Sequence, residues 1–219
     1  MKVIGIDDAG RGPVIGPMVL TGVMIEKENE ALIKEMGAKD SKLLFPKKRK
    51  KIADILRKDY DYHYEISEPE EIDNFPNLNN LEAIKTGIII NYFMKDLNEK
   101  VKVIVDCPSI NTVSWSEFLM ETIVKKNLVE LHCEHKADYN YPIVSAASII
   151  SKETREDLIA KLREDLGVDF GSGYPADPKT KNFLVKTFGD KKYDSIIRKS
   201  WSTYKTLAGK MDQTKLFYL

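Results

Sequence analysis

Two runs of apolar, mostly β-branched residues, "KVIGID" at 2–7 and "KVKVIVDCP" at 100–108, restrict what this chain can fold into more than any other feature. Each reads as a strand in a sheet covered on at least one face, and each ends in an acid. "PMVLTGVMIE" (17–26) reads as a second strand that pairs with the first as a hairpin, and 28–37 as a helix. Pro46 suits the first turn of a further helix, with Ile52, Ile55 and Leu56 as its apolar stripe. "YDYHYEI" (60–66) reads as a strand, and 79–98 as an amphipathic helix with Leu81, Ile84, Ile88 and Tyr92 on one side. Then come a helix over 114–126, a strand over 128–134 and mostly helix over 142–164. Beyond Gly167 the texture becomes loop and then basic helix. The expectation is an α/β fold: a mixed central sheet with flanking helices over 1–165, then a smaller helical extension over 166–219.

With 219 residues, 42% of them hydrophobic, the chain can bury one sizeable core. Its two cysteines, Cys107 and Cys133, make neither a disulfide framework nor a thiolate metal knot, so a reducing compartment is expected. A single lysine before "VIGI" is no signal peptide, and no run of 18 apolar residues is present to span a bilayer. These features together suggest the cytoplasm and no membrane partner.

Net charge is zero, which by itself argues weakly against a nucleic-acid partner. The charge is unevenly placed, however. Residues 39–60 carry nine Lys/Arg against three acids, 61–76 carry six acids and no Lys/Arg, and 179–219 carry ten Lys/Arg against three Asp. Two basic segments can create a local binding surface under a neutral total. Ordinary solvated helix faces would look the same.

The chemistry-bearing residues are carboxylates. Asp7 and Asp8 end the first strand, Asp106 ends another, and Asp138 follows the 128–134 strand just before a helix. Carboxyl ends of strands are where open α/β sheets place their sites. Each acid alone reads as a turn, cap or surface charge, but the set reads as a cluster. Crowded acids repel unless a cation sits among them, and without nearby Cys or His ligands the fitting cations are Mg²⁺ or Mn²⁺. Such a group supports two-metal hydrolysis of a phosphodiester.

The loop "AGRGP" (9–13) lacks the Gly-Lys-Ser/Thr ending of a phosphate-binding P-loop and the third glycine of a dinucleotide fingerprint. Gly10 and Gly12, with Arg11 between them, fit equally a strained turn and a loop whose backbone approaches a substrate closely. In "GSGYP" (171–175), Tyr174 is an aromatic ring on a constrained loop, suited to stacking on a base or sugar or to anchoring the loop. Ala146, Ala147 and Ser148 allow close helix packing, and Lys152 reads as a phosphate contact or a solvated end. His135 reads more simply as a strand cap than as chemistry.

Taken together these motifs resemble the type 2 ribonucleases H, in particular the archaeal ribonuclease HII branch. The family's opening "DEAGRG" is "DDAGRG" at 7–12, its "DSK" is at 40–42, and "HKAD" with "PIVSAASIISK" covers 135–152. "GSGYP" lies at 171–175 and "RKSW" at 198–201, so the motifs span nearly the whole chain in order. The resemblance implies a ribonuclease H-like core with a helical C-terminal part. It implies that Asp7, Asp8, Asp106 and Asp138 are catalytic and bind two divalent ions, Mg or Mn. Gly10, Arg11 and Gly12 would contact the 2′-hydroxyl and phosphates at the scissile junction, Tyr174 would stack on the following deoxyribose, and Lys42 would touch the nucleic-acid backbone. The implied reaction is endonucleolytic cleavage 5′ to a ribonucleotide, leaving 3′-hydroxyl and 5′-phosphate ends. Its substrates would be RNA/DNA hybrids and duplex DNA with embedded single ribonucleotides. The family has Glu where this chain has Asp8, a carboxylate shorter by one methylene.

Two other readings fit parts of the sequence. A nucleic-acid-binding protein with weakened catalysis fits the basic segments and Asp8. An actin-like or sugar-kinase-like ATPase shares the strand–Asp–glycine opening, but it needs a second phosphate loop and a longer chain. A monomer is expected, and "QTKLFYL" (213–219) reads as a packed last turn or as a peptide for a replication clamp.

Overall fold

The structure, a computed structural model, describes residues 1–37 and 45–216, with 212–216 described by backbone alone. In chain order its elements are β1 (Lys2–Ala9), β2 (Met18–Glu26), α1 (Glu30–Glu35), α2 (Pro46–Asp59), β3 (Asp61–Ser67), α3 (Pro69–Asn74), α4 (Leu78–Met94), β4 (Val101–Asp106) and α5 (Thr112–Thr122). They continue with β5 (Val129–Glu134), α6 (Ala137–Asn140), α7 (Pro142–Leu166), α8 (Pro178–Lys186) and α9 (Ser202–Leu216). Among the described residues, no helix is long and apolar enough to cross a membrane.

The five strands form one mixed sheet in the order β3-β2-β1-β4-β5. β1 pairs antiparallel with β2 as the expected hairpin, and parallel with β4, which in turn pairs parallel with β5. This central position explains why the "VIGI" and "VIV" runs are almost wholly apolar: Ile4, Ile6, Val103 and Val105 are all buried. The chain falls into two compact units. The first comprises 1–9, 19–66 and 77–155 and holds the sheet apart from the strand-end residues Met18 and Ser67, whereas the second comprises 10–18, 67–76 and 156–219.

In the first unit, α7 lies on one face of the sheet at unusually short range. A Cβ on Gly5 would sit 2.5 Å from the backbone carbon of Ile143 and 2.7 Å from the nitrogen of Val144. No alanine fits there unless strand and helix separate. Ala146, Ala147 and Ser148 are fully buried on the same helix, as small residues at a close contact should be. The opposite face packs on α4, where a Cβ on Gly22 would run into the Ile89 and Phe93 side chains.

α4 departs from the stripe expected of it. Ile88 and Tyr92 are 42% and 43% exposed, while Leu81, Ala83, Ile89, Ile90, Phe93 and Met94 are buried. The helix meets the sheet on one side and α5 on another, so apolar residues occupy most of its circumference, and a single-stripe reading picks the wrong edge. Tyr92 instead stacks on His63 of β3, with ring centroids 4.0 Å apart.

The second unit has its own core of Val14, Ile15, Ile159, Phe170, Phe183, Leu184, Tyr193, Ile196 and Ile197. The segment between the first two strands thus packs with the C-terminal part of the chain.

Gly5→Val is expected to lower the stability of the protein by about 2 kcal/mol or more in urea unfolding, because its new atoms meet backbone that cannot move aside. Gly22→Ala meets only side-chain ends and should cost less. Equal losses at the two sites would show that the close contact of strand and helix is not rigid.

Candidate active site

The pairing of β1 with β4 ends at Ile6 and Val105, so Asp7 and Asp106 occupy the next rung at the carboxyl ends of two adjacent parallel strands. Asp138 arrives from α6, just beyond β5. These three carboxylates each offer an oxygen, and the three oxygens lie within 4.8 Å of one another. Asp8 is outside that group. Successive side chains of a strand point to opposite faces, so Asp7 looks toward α7 and Asp8 toward α4. Asp8 lines a small cavity of about 10 Å³ with Asp7, Asp106, Glu82, Thr86 and Trp115. Its backbone N–H donates to Asp7 Oδ1 at 2.8 Å.

Asp7 is 5% exposed. Burial, then the charges of Asp8 and Asp106, push its carboxyl well above the usual carboxylate range. A hydrogen bond from Ser148 and the charge of Lys152 act in the opposite direction. Both come from α7, where Lys152 Nζ donates to Ser148 Oγ at 2.7 Å. α7 runs on to Leu166, so Lys152 sits mid-helix, one turn beyond the serine and directed toward the acids rather than at a solvated end.

The loop carrying Asp138 is held from several sides. The Ala137 N–H donates to Asp106 Oδ1 at 3.1 Å, tying the start of α6 to a neighbouring acid of the group. Lys136 takes the left-handed conformation, φ 60°, in the turn between β5 and α6. Glu134 accepts from Asn140 Nδ2 at 2.7 Å and lies 2.7 Å from His132 Nε2, which fixes the far end of the turn. His135 donates from Nδ1 to the Cys107 carbonyl at 3.0 Å, the cap its sequence position suggested.

Of the residues expected to touch substrate, Gly10, Arg11, Gly12 and Tyr174 lie in the second unit. Gly10 takes φ 92°, a conformation that residues with a Cβ rarely adopt. A Cβ on Gly12 would lie 3.6 Å from the Tyr174 ring, so the "GRG" and "GSGYP" segments meet at those residues. Tyr174 is 44% exposed. The Val14 and Ile15 N–H groups both donate to the Gly173 carbonyl, at 2.8 and 3.2 Å. Lys42, with its "DSK" motif, lies outside the described residues.

The carboxylate set fits divalent cations. Two ionised carboxylates no more than 4.8 Å apart repel by on the order of 3 kcal/mol or more at an effective dielectric of about 20. The Ser148 hydrogen bond and the Lys152 charge do not offset this, because the Asp7 carboxyl stays well above the usual carboxylate range. Oxygen-only ligands suit Mg²⁺ or Mn²⁺. Sequence reading did not find Glu82, a buried acid on α4 that faces the same cavity, or the Ser148 contact to Asp7. A lone Glu or Ser in a helical run carries no signal until the helix is placed against the sheet.

Comparison with known proteins agrees with this arrangement. The family described as Ribonuclease HII matches residues 4–204. A Ribonuclease HII of Methanococcus maripaludis (strain C7) is 42% identical, over 98% of this chain and 90% of that protein. The crystal structure of the ribonuclease H2 from Pyrococcus horikoshii superposes with a TM-score of 0.84 at 38% identity, covering 96% of this chain and 98% of that one. The RNase HII in a PCNA:RNase HII complex from Archaeoglobus fulgidus gives a TM-score of 0.81 at 34% identity, covering 92% and 96%. With the fold, the carboxylate group and these matches in agreement, the chain belongs to the ribonuclease HII family and is of its archaeal type.

Proposed function

We propose that this chain hydrolyses the phosphodiester 5′ to a ribonucleotide, in RNA/DNA hybrids and at single ribonucleotides in duplex DNA, leaving 3′-hydroxyl and 5′-phosphate ends. The observation that carries this reading is the convergence of Asp7, Asp106 and Asp138 from two strand ends and a helical turn. Asp7, Asp106 and Asp138, with Asp8 beside them, would hold two divalent ions, Mg²⁺ or Mn²⁺. Such ions supply activation of the attacking water and charge stabilisation at the leaving 3′ oxygen. The protein's own residues prepare the site. Ser148 orients Asp7 and favours its ionised form, and Lys152 holds Ser148. The Ala137 N–H fixes one oxygen of Asp106.

Gly10, Arg11 and Gly12 contact the 2′-hydroxyl and phosphates at the junction, and Tyr174 stacks on the deoxyribose that follows. Lys42 and the basic residues of the C-terminal helices α8 and α9 bind backbone phosphates, a role consistent with a helical C-terminal part from about residue 166 devoted to substrate. The enzyme acts as a monomer. The complex of the Archaeoglobus relative with PCNA supports a replication-clamp contact through "QTKLFYL", whose last three residues lie outside the described ones.

A labelled duplex carrying one ribonucleotide should be cut on its 5′ side with Mg²⁺ or Mn²⁺. Absence of product with both ions would sink the nuclease reading and leave a nucleic-acid-binding protein. Asp106→Asn should lower the rate by at least about 10²-fold while the circular-dichroism spectrum stays unchanged. Asp8→Glu should raise the Mg²⁺-supported rate by lengthening the reach of that carboxylate. An unchanged rate would mean that the loop already accommodates the shorter acid.

The raised pKa of Asp7 has a definite sign. A carboxyl whose folded pKa exceeds its unfolded value binds protons more tightly when folded, so its contribution to stability is greatest below the ordinary carboxylate pKa and declines as pH rises through the folded value. Asp7→Asn is therefore expected to raise the thermal midpoint of the metal-free protein at pH 7–8, with little effect near pH 4. A lower midpoint at neutral pH would contradict the assignment of burial and repulsion as the cause.

A further inference from the structure

The "RKSW" segment has no role in the reading above, yet it contains Arg198, the largest fully buried side chain of the described residues. Burying a guanidinium is costly unless its N–H groups are matched. Here they are matched by backbone carbonyls of one loop. Nη2 donates to Gly10 O at 2.7 Å, Nη1 to Arg11 O at 3.1 Å, and Nε to Gly16 O at 2.9 Å. The backbone N–H of Arg198 donates to Val14 O at 2.9 Å. Trp201 Nε1 takes the carbonyl between, Gly12 O, at 3.1 Å, and the guanidinium lies 4.8 Å from the Trp201 ring centre. The turn holding this pair is itself fixed, because Asp73 accepts from the Lys199 and Ser200 N–H groups at 2.6 and 3.0 Å.

This pattern orients the loop. In a trans peptide the carbonyl of one residue and the N–H of the next point in opposite directions. With the carbonyls of Gly10 and Arg11 turned inward onto Arg198, the N–H groups of Arg11 and Gly12 face the other way. Two successive N–H groups on one side form a concavity suited to an anionic oxygen. The same frame reaches Tyr174. Val14 and Ile15, held between Gly12 and Gly16, donate to the Gly173 carbonyl, while the Gly173 N–H donates to Thr180 Oγ1 at 3.0 Å.

We infer that Arg198, backed by Trp201, is the positioning residue of substrate recognition: the pair turns the carbonyls of Gly10, Arg11, Gly12, Val14 and Gly16 inward, presents the Arg11 and Gly12 N–H groups to a phosphate, and sets Tyr174 in register with them. This rests on the proposed substrate contacts of Gly10–Gly12 and Tyr174. Lysine cannot reproduce it, because one ammonium does not span three carbonyls with a planar fork.

The test uses Arg198→Lys and the milder Trp201→Phe, which loses one donor but keeps a ring over the guanidinium. Three readouts are taken: steady-state cleavage of a single-ribonucleotide duplex, Mn²⁺ binding by calorimetry, and amide exchange at residues 14–16. KM is expected to rise about tenfold or more in Arg198→Lys and less in Trp201→Phe, with kcat within about threefold of wild type. Mn²⁺ affinity should be unchanged, and the amides of Val14, Ile15 and Gly16 should exchange faster. A folded variant with unchanged KM and unchanged exchange overturns the inference. A proportional loss of kcat together with loss of Mn²⁺ binding also overturns it, because Arg198 would then support the fold at large. If wild type itself fails to cleave, the nuclease reading fails, and the exchange data still decide whether Arg198 holds the loop. Should Arg198→Lys not fold, Trp201→Phe decides alone, and unchanged KM and unchanged exchange in that variant overturn the inference.

Discussion

The contact of β1 with α7 at Gly5 is the constraint on which the site depends. With hydrogen in place of a side chain at that position, the helix backbone at Ile143 comes against the strand. The helix then continues along the same face toward the strand's carboxyl end. Ser148 lies five residues past the contact and Lys152 one turn further, which brings a hydroxyl and an ammonium to Asp7. A bulkier residue 5 would lift α7 by the width of a side chain and remove both from reach. A packing decision made two residues before the acid therefore sets the electrostatics of the acid.

Those electrostatics are unfavourable in the protein alone. Asp7 is buried beside Asp8 and Asp106, and its carboxyl is held well above its ordinary range by that burial and repulsion. The fold offsets part of this with Ser148, Lys152 and the Ala137 N–H, and leaves the rest. A site complete in itself would have no use for a cation. Stability in one place is given up for affinity in another, as is usual where charged groups are gathered for chemistry.

Much of this was legible in the sequence. The two apolar runs ending in acids foretold strands with Asp7 and Asp106 at their ends, but only the sheet pairing makes those strands neighbours; the hairpin, α2 and α7 were also foreseen. The α4 stripe was misread because a helix covered on two sides has no single apolar face, so Ile88 and Tyr92 were assigned inward where Ile89 and Phe93 belong. Glu82 and Arg198 could not be found from local pattern. Arg198 meets Gly10 and Arg11 across 188 and 187 residues of chain. Its partners are carbonyls, which every residue carries and which leave no mark in a sequence.

Strand geometry also clarifies Asp8. Adjacent acids on a strand cannot share one face, so the second of the pair starts out directed toward α4 while its neighbour faces α7. A carboxylate at position 8 must bend around the end of the strand to join the group formed by Asp7, Asp106 and Asp138. A glutamate has one more methylene with which to do so. In this chain the shorter acid stays at the cavity it shares with Glu82, half-buried, and donates its backbone N–H to Asp7. In the protein alone its backbone N–H holds one oxygen of Asp7 and its charge adds to the repulsion there. A full metal complement at this site therefore turns on the reach of a single side chain.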